Sequence, residues 1–99
     1  MWYAILSEDV EDSNDKRAAA RPAHIDRLKE LAAEGRLLVA GPHPAIDSEQ
    51  PGDAGFSGSL VIARFDSLEE AEAWAAVDPY VESGAYRSVA VRPFKKVLP

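Results

Sequence analysis

The order in which short apolar runs alternate with helical segments constrains the fold of this 99-residue chain more than any other feature. Four β-prone runs predict strands at residues 2–6, 36–40, 59–65 and 86–94. The first and second strands flank a segment whose apolar residues recur at helical spacing, and so do the third and fourth strands. Because the chain is too short for two cores, we expect one domain, residues 1–99, with the order βαββαβ.

Helix-start and helix-stop residues give the expected limits of the first helix. Pro22 is favoured at the first helical position, and Gly35 is a typical stop. Residues 8–16 are acidic and polar, which predicts a loop before the helix. Residues 41–58 hold three prolines and four glycines, so we expect an irregular but ordered connection that forms the wall of a pocket.

The second helix has equally clear limits in the sequence. Ser67 and Glu70 have the spacing of a capping box, which predicts the helix start. Asp78 precedes Pro79, and the residue before a proline disfavours helical geometry, so we expect the helix to end at Asp78.

The order βαββαβ predicts the ferredoxin-like plan of the α+β class. Its antiparallel sheet has the strand order 4-1-3-2, with both helices on one face and antiparallel to each other. The start of the first helix, the end of the second helix and the connection 41–58 then lie at the same end of the molecule. We therefore expect His24 and Asp78 to converge beside that connection.

The predicted positions of these two side chains are electrostatically unfavourable. A helix N-terminus disfavours a protonated His24, and a helix C-terminus disfavours an ionised Asp78. Selection for stability alone favours a carboxylate at the helix N-terminus and a histidine at the helix C-terminus. The opposite arrangement predicted here indicates a functional site. The competing interpretation is that His24 lies in a solvated first turn and that Asp78 is an ordinary turn residue.

The second and third strands predict a partner for the uncovered face of the sheet. Residues 37–39 and 60–62 are apolar at consecutive positions, a pattern typical of strands that are buried on both faces. We therefore expect a homodimer that packs sheet against sheet.

Composition excludes several classes of function. The net charge of −6 disfavours nucleic acid as a partner, and the absence of cysteine excludes a disulfide framework or a thiolate metal site. An RNA-binding domain with this strand order needs exposed basic and aromatic residues on its central strands, which this acidic chain lacks. The apolar runs are too short to span a membrane, and acidic residues follow Leu6 too soon for a signal peptide, so we expect a cytoplasmic protein.

Five further residues are candidates for binding a small molecule at the predicted site: Arg21, Gly41, Phe56, Ser59 and Tyr80. Arg21 either binds an anionic substrate or pairs with a nearby acid such as Asp15. A metal site built from His24, His43 and Asp78 lacks regular ligand spacing, so we expect neither metal nor other cofactor.

Five stretches of the chain resemble the YCII-related (YciI) family over essentially its whole length. They are RPAH at 21–24, EGRLLVAGP at 34–42, PGDAGFSGS at 51–59, DPYVESGAY at 78–86 and VRPFKK at 91–96. The resemblance implies a ferredoxin-like fold, a dimeric α+β barrel and a proposed active site at His24 and Asp78. One relative in that family is a dehydrochlorinase of a chlorinated hydroxyhydroquinone, and muconolactone isomerase shares the broader fold.

A histidine beside a carboxylate can take and return a proton near neutral pH. The leading hypothesis is a cofactor-independent enzyme that catalyses elimination or isomerisation of a small substrate such as an aromatic or phenolic compound. The alternative is a binding module that keeps the pocket without chemistry. Asp78→Asn separates the two, because it changes turnover in the first case and only affinity in the second.

Overall fold

The computed structural model describes residues 1–99, and its single sheet has the predicted strand order, β2-β3-β1-β4. All neighbouring strands are antiparallel. The elements in chain order are β1 (Trp2–Asp9), α1 (Asn14–Ala33), β2 (Leu37–Pro44), β3 (Phe56–Arg64), α2 (Leu68–Ala76), α3 (Pro79–Glu82) and β4 (Tyr86–Phe94). The ferredoxin-like plan is therefore confirmed, with one short helix more than expected.

The helices cover one face of the sheet because side chains alternate between the two faces of each strand. On the covered face, Ile5 lies opposite Val61 and Tyr3 lies opposite Ala63. These side chains form the main core with buried residues of α1 and α2, namely Leu28, Leu31, Ala71 and Ala75.

The first helix begins at Asn14, so the prediction of a loop over 8–16 and of a start at Pro22 is wrong. β1 runs on to Asp9, and Pro22 lies inside the helix. Residues 14–21 include three alanines, the strongest helix formers, and two of the side chains in this segment, Arg17 and Ala20, are buried. Packing of this segment against the sheet thus extends the helix through a residue that usually marks a helix start.

The second helix ends at Ala76, and Asp78 belongs to the following element. Asp78 is the N-cap of α3, and its Oδ1 accepts a hydrogen bond from the backbone N–H of Tyr80 at 2.8 Å. The prediction that Asp78 lies at an unfavourable helix C-terminus is therefore wrong. Asp78 lies at a helix N-terminus, where a carboxylate is favoured.

The connection between β2 and β3 is shorter than predicted, because strand pairing extends to Pro44 and resumes at Phe56. One turn of 3-10 helix, Gly52–Ala54, lies within it. Asn14 Nδ2 donates to the carbonyl of Asp53 at 3.2 Å and thereby ties this turn to the start of α1. Gly55 follows with a φ of +69°, and a β-carbon there would collide with Asn14. The close approach and the positive φ together require glycine at this position.

The helices pack on one face of the sheet and leave the second face without a helix, although Ala4 and Ile62 on it are buried. Leu6 and Leu60 are paired on this face, and Val39 lies beside Ile62. Leu6 is 38% exposed and Val39 is 48% exposed. None of the helices combines the length and the apolar character that crossing a membrane requires.

Candidate active site

The structure brings His24 and Asp78 into direct contact, although 54 positions separate them in the chain. His24 Nδ1 lies 3.0 Å from both Oδ1 and Oδ2 of Asp78, and both residues are buried. His24 lies in the middle of α1, so the prediction that it lies at the start of the helix is wrong. The contact uses Nδ1 and leaves Nε2 as the ring nitrogen that is free for another partner.

Asp78 is held by groups from two helices, α1 and α3. In addition to His24 and the N–H of Tyr80, Arg27 places Nη1 3.5 Å from Oδ2. Arg27 Nη2 donates to the carbonyl of Trp74 at 2.7 Å, and the Arg27 guanidinium lies 4.1 Å from the centre of the indole ring. Burial lowers the pKa of Arg27, and the charge of Asp78 partly offsets this effect. Asp78 is thus fixed in position before a substrate arrives.

Tyr80 supports the other side of the histidine ring. The two rings stack with their centres 4.0 Å apart and an interplanar angle of 19°. Tyr80 in turn packs edge-on against Tyr86, with 5.4 Å between the ring centres. Burial raises the pKa of Tyr80, against the opposing charges of Arg17 and Arg21, so its phenol stays neutral near pH 7.

A cavity of about 540 Å³ opens beside this group, between α1, the β2–β3 hairpin and α3. Its lining includes His24 and all five predicted binding residues, Arg21, Gly41, Phe56, Ser59 and Tyr80. Asp78 lies behind the histidine. The arrangement places a carboxylate-oriented imidazole at the wall of a cavity that is large enough for a small aromatic molecule.

Arg21 is exposed at the cavity and forms no ion pair with Asp15 or any other acid. Its charge is therefore available to a ligand. Ser59 Oγ accepts a hydrogen bond from Arg17 Nη2 at 2.9 Å, which makes Ser59 part of the wall. His43 lies in β2 opposite Gly58 and is not brought to the His24–Asp78 pair. No three His, Asp or Glu side chains are grouped closely enough to hold a metal ion.

Sequence reasoning missed Arg17 and Asp9, which form a buried ion pair at the cavity. Arg17 Nε donates to Asp9 Oδ2 at 2.6 Å and Nη2 donates to Oδ1 at 2.9 Å. Ser13 adds a 2.6 Å hydrogen bond to Oδ2. A signal was present for Arg17, which shares one helix face with Arg21 and His24, but not for Asp9, which lies in β1. The signal for Arg17 was lost because the helix was predicted to begin only near Pro22.

One protein family matches almost the whole chain. The model of the YCII-related domain matches residues 1–95. Protein YciI of Escherichia coli is 60% identical over 98 residues, which cover 99% of this chain and 100% of that protein. The derivative of benzaldehyde biosynthesis cluster protein C of Emericella nidulans is 32% identical over 84 residues, which cover 84% of this chain and 85% of that protein.

A solved structure shows the same fold. The 5-chloro-2-hydroxyhydroquinone dehydrochlorinase TftG from Burkholderia phenoliruptrix AC1100, in complex with 2,5-dihydroxybenzoquinone, matches with a TM-score of 0.83. The match covers 96% of this chain and 94% of that chain at 24% identity, so it is a likeness of fold. The family match over residues 1–95 and the 60% identity to protein YciI establish that the chain belongs to the YCII-related domain family.

Proposed function

We propose that this protein is a cofactor-independent enzyme that transfers protons on a small molecule, with His24 as the general base and acid and Asp78 as its orienting partner. The observation that carries the proposal is the contact of His24 Nδ1 with Asp78 at 3.0 Å, on a ring that lines the cavity. The likeness of fold to a dehydrochlorinase supports chemistry on a small molecule.

The chemistry follows from the two ring nitrogens. The Nδ1–H donates to the carboxylate of Asp78, so the lone pair of the neutral ring lies on Nε2. Nε2 takes a proton from the substrate, and Asp78 stabilises the imidazolium that results. The same proton then returns to another atom in an isomerisation or leaves the site in an elimination. A base of this kind contributes about 10²–10⁴-fold to the rate.

The substrate class follows from the cavity and the relatives. The wall combines apolar residues such as Leu28 and Val61 with the cationic Arg21, which suits a planar and partly anionic molecule. One relative is named for a benzaldehyde-derived product and the fold relative acts on a chlorinated hydroxyhydroquinone. We therefore propose an aromatic or phenolic substrate and 5-chloro-2-hydroxyhydroquinone as the first compound to test.

The test is release of chloride from 5-chloro-2-hydroxyhydroquinone by the wild type, His24→Gln and Asp78→Asn. We expect His24→Gln to lower kcat at least about 100-fold, because the base is lost. His43→Gln is the matched control, since His43 lies apart from the pair, and it should retain wild-type turnover. Turnover by His24→Gln at the wild-type rate would contradict the proposal.

Nitrogen NMR of the imidazole ring tests the pair without a substrate. Above the pH range in which histidine titrates, we expect His24 to carry its proton on Nδ1 in the wild type and to shift towards Nε2 in Asp78→Ala. A binding module is the alternative function. It predicts that Asp78→Asn weakens binding of 2,5-dihydroxybenzoquinone while no variant, including the wild type, shows turnover.

The face of the sheet without helices supports a second copy of this chain as partner. Leu6, Val39 and Leu60 lie on neighbouring strands of this face, and a two-fold axis brings identical apolar patches together. The proposal therefore includes a homodimer that packs sheet against sheet. It also includes a cytoplasmic location, with which the absence of cysteine agrees.

A further inference from the structure

Arg17 is a cation that the proton-transfer chemistry of the His24–Asp78 pair does not use, yet it lines the same cavity. A guanidinium has five N–H donors. Nε and Nη2 are engaged, Nε with Asp9 and Nη2 with Asp9, the carbonyl of Gly58 and Ser59 Oγ, all within 2.9 Å. Nη1 forms no hydrogen bond of regular geometry with the protein, although the side chain of Arg17 also acts on Tyr80 as a hydrogen-bond donor that lowers the pKa of its phenol against the larger effect of burial.

Nη1 is the nitrogen of Arg17 that keeps access to solvent. Every side-chain nitrogen or oxygen that is sealed from solvent has a hydrogen-bond partner. Nη1 has none, so it is accessible, and the space that Arg17 lines is the cavity itself. The rings of Phe56, Tyr80 and Tyr86 surround the guanidinium with 5.5, 4.9 and 5.8 Å from Cζ to their centres. The group is therefore held rigidly and presents one pair of donors.

Arg17 and His24 are close enough for one aromatic ring of a substrate to contact both side chains. Both groups contact Tyr80, with its ring centre 4.0 Å from the centre of the His24 ring and 4.9 Å from Arg17 Cζ. The imidazole and the guanidinium are consequently no more than about 9 Å apart. Positions 17 and 24 are two helical turns apart on one face of α1, which keeps them along the same wall.

We propose that Arg17 Nη1 binds the oxygen of the substrate that becomes negatively charged when His24 removes a proton, and that Asp9 is the positioning residue that fixes this donor. The substrate class is then an enolisable ketone, including the keto tautomer of a hydroxylated aromatic ring, that has its oxygen at Arg17 and its acidic C–H at His24. This inference rests on the proposed function and adds an oxyanion-binding group to it.

Removal of a proton from carbon generates the oxyanion that Arg17 binds. The proton moves from carbon to His24 Nε2, the electron pair of the C–H bond forms a carbon–carbon double bond, and the π pair of the carbonyl moves to oxygen. The oxyanion at Arg17 then reforms the carbonyl. Either a proton returns to a second carbon, or a halide leaves with its bonding pair. Preorganised donors aimed at such an oxygen are a major source of rate enhancement.

The ion pair with Asp9 supports this assignment. Burial lowers the pKa of Arg17, but the hydrogen bond and the charge of Asp9 outweigh it, and the pKa is raised above its usual value. The guanidinium therefore stays charged and oriented. A buried ion pair is weak as a source of stability, since desolvation offsets its attraction.

The test compares two probes that differ in ionisable oxygens, 2,5-dihydroxybenzoquinone and 2,5-dimethoxybenzoquinone, by calorimetric titration. We expect the wild type to prefer the dihydroxy probe. Arg17→Lys should weaken binding of that probe by about tenfold to a hundredfold, because Lys keeps the charge but not the forked geometry, and should leave the dimethoxy probe unaffected. Arg36→Lys is the matched control, since Arg36 pairs with exposed Glu34 away from the cavity.

A purely structural role for Arg17 predicts an equal loss for both probes, and that result would overturn the proposal. Equal affinity of the wild type for both probes would do so too. In nitrogen NMR of the wild type, the dihydroxy probe should shift Arg17 Nη1 more than Nε, and the reverse pattern would also count against it. Asp9→Asn should lower the affinity for the dihydroxy probe more than the affinity for the dimethoxy probe.

The two proposals fail in different ways. His24→Gln should lose turnover and keep the preference for the dihydroxy probe, because its cavity retains Arg17. Turnover that persists in His24→Gln would remove the proposed function and leave the binding role of Arg17 standing. Loss of the preference in Arg36→Lys would instead overturn the assignment of the preference to Arg17.

Discussion

Two buried carboxylates determine the electrostatics around the cavity, and each is compensated in its own way. Asp78 has His24, Arg27 and a backbone N–H, whereas Asp9 has Arg17 and the hydroxyl of Ser13. Removal of one partner leaves a buried charge without compensation, which is costly.

Tyr86 gives a prediction for alkaline pH at the same scale. Burial raises its pKa to about 12, and the charge of Asp78 acts in the same direction against hydrogen bonds from Ser59 and Ser7 and the charge of Arg17. The neutral phenol is favoured in the folded state. Its contribution to stability is therefore complete below pH ~10, the value in the unfolded chain, and is lost as the pH rises towards about 12.

We expect a near-ultraviolet absorbance titration to show a step near pH 12 that disappears in Tyr86→Phe. The urea-unfolded wild type, in which the phenols are solvated, should titrate near pH ~10. Tyr86→Phe should also reduce the fall in unfolding free energy over this pH range. A step that persists in the variant would assign the high value to another tyrosine.

At the scale of elements, α1 carries much of the candidate site on one face. Arg17, Arg21 and His24 line the cavity from successive turns, and Leu28 continues the stripe towards the core. Pro22 lies inside this helix and is exposed on it. A proline removes one hydrogen bond between N–H and the carbonyl four residues earlier, so Ala18 lacks this partner.

Replacement of Pro22 tests whether the helix runs through it. We expect Pro22→Ala to raise the free energy of unfolding by about 1–2 kcal/mol, because the recovered hydrogen bond outweighs the greater freedom of the unfolded chain. Pro93→Ala is the control, an exposed proline in the edge strand β4 that should give no such gain. Urea unfolding measures both. A loss of stability in Pro22→Ala would indicate that Pro22 acts as a helix start.

At the scale of the whole molecule, the face of the sheet without helices carries apolar side chains that the fold leaves exposed. Leu6, Val39 and Leu60 lie there among neighbouring strands, whereas the opposite face is filled by helices. Exposed apolar side chains on neighbouring strands are typical of interaction sites. The proposed homodimer accounts for them with no partner other than a second copy.

Matched substitutions test the dimer. We expect the wild type to sediment as a dimer at micromolar concentration and Leu6→Glu to sediment as a monomer, because the new charge would be buried in the interface. Leu68→Glu is the control, since Leu68 is equally exposed at 38% but begins α2. A monomeric wild type would contradict the proposed dimer.

The order of strands and helices was determined by the sequence alone, because periodicity and helix-stop residues are local signals. Gly35, at a φ of +72°, ends the first helix as expected, and the Ser67–Glu70 cap starts the second. The topology that follows from this order was enough to predict that His24 and Asp78 converge. Local propensity placed the start of the first helix at Pro22, which is wrong, because propensity contains no information on how the preceding turns pack against the rest of the protein.

The tertiary structure alone decided how the site is supported. Asp78 contacts His24 and Arg27 across 54 and 51 positions of the chain. Arg17 donates to Gly58 and Ser59 across 41 and 42 positions. Such contacts depend on the exact position of one element against another, and a pattern of residue types does not contain this information. The sequence therefore determined which residues meet, and the packing of α1 and α3 on the sheet determined what each of them does there.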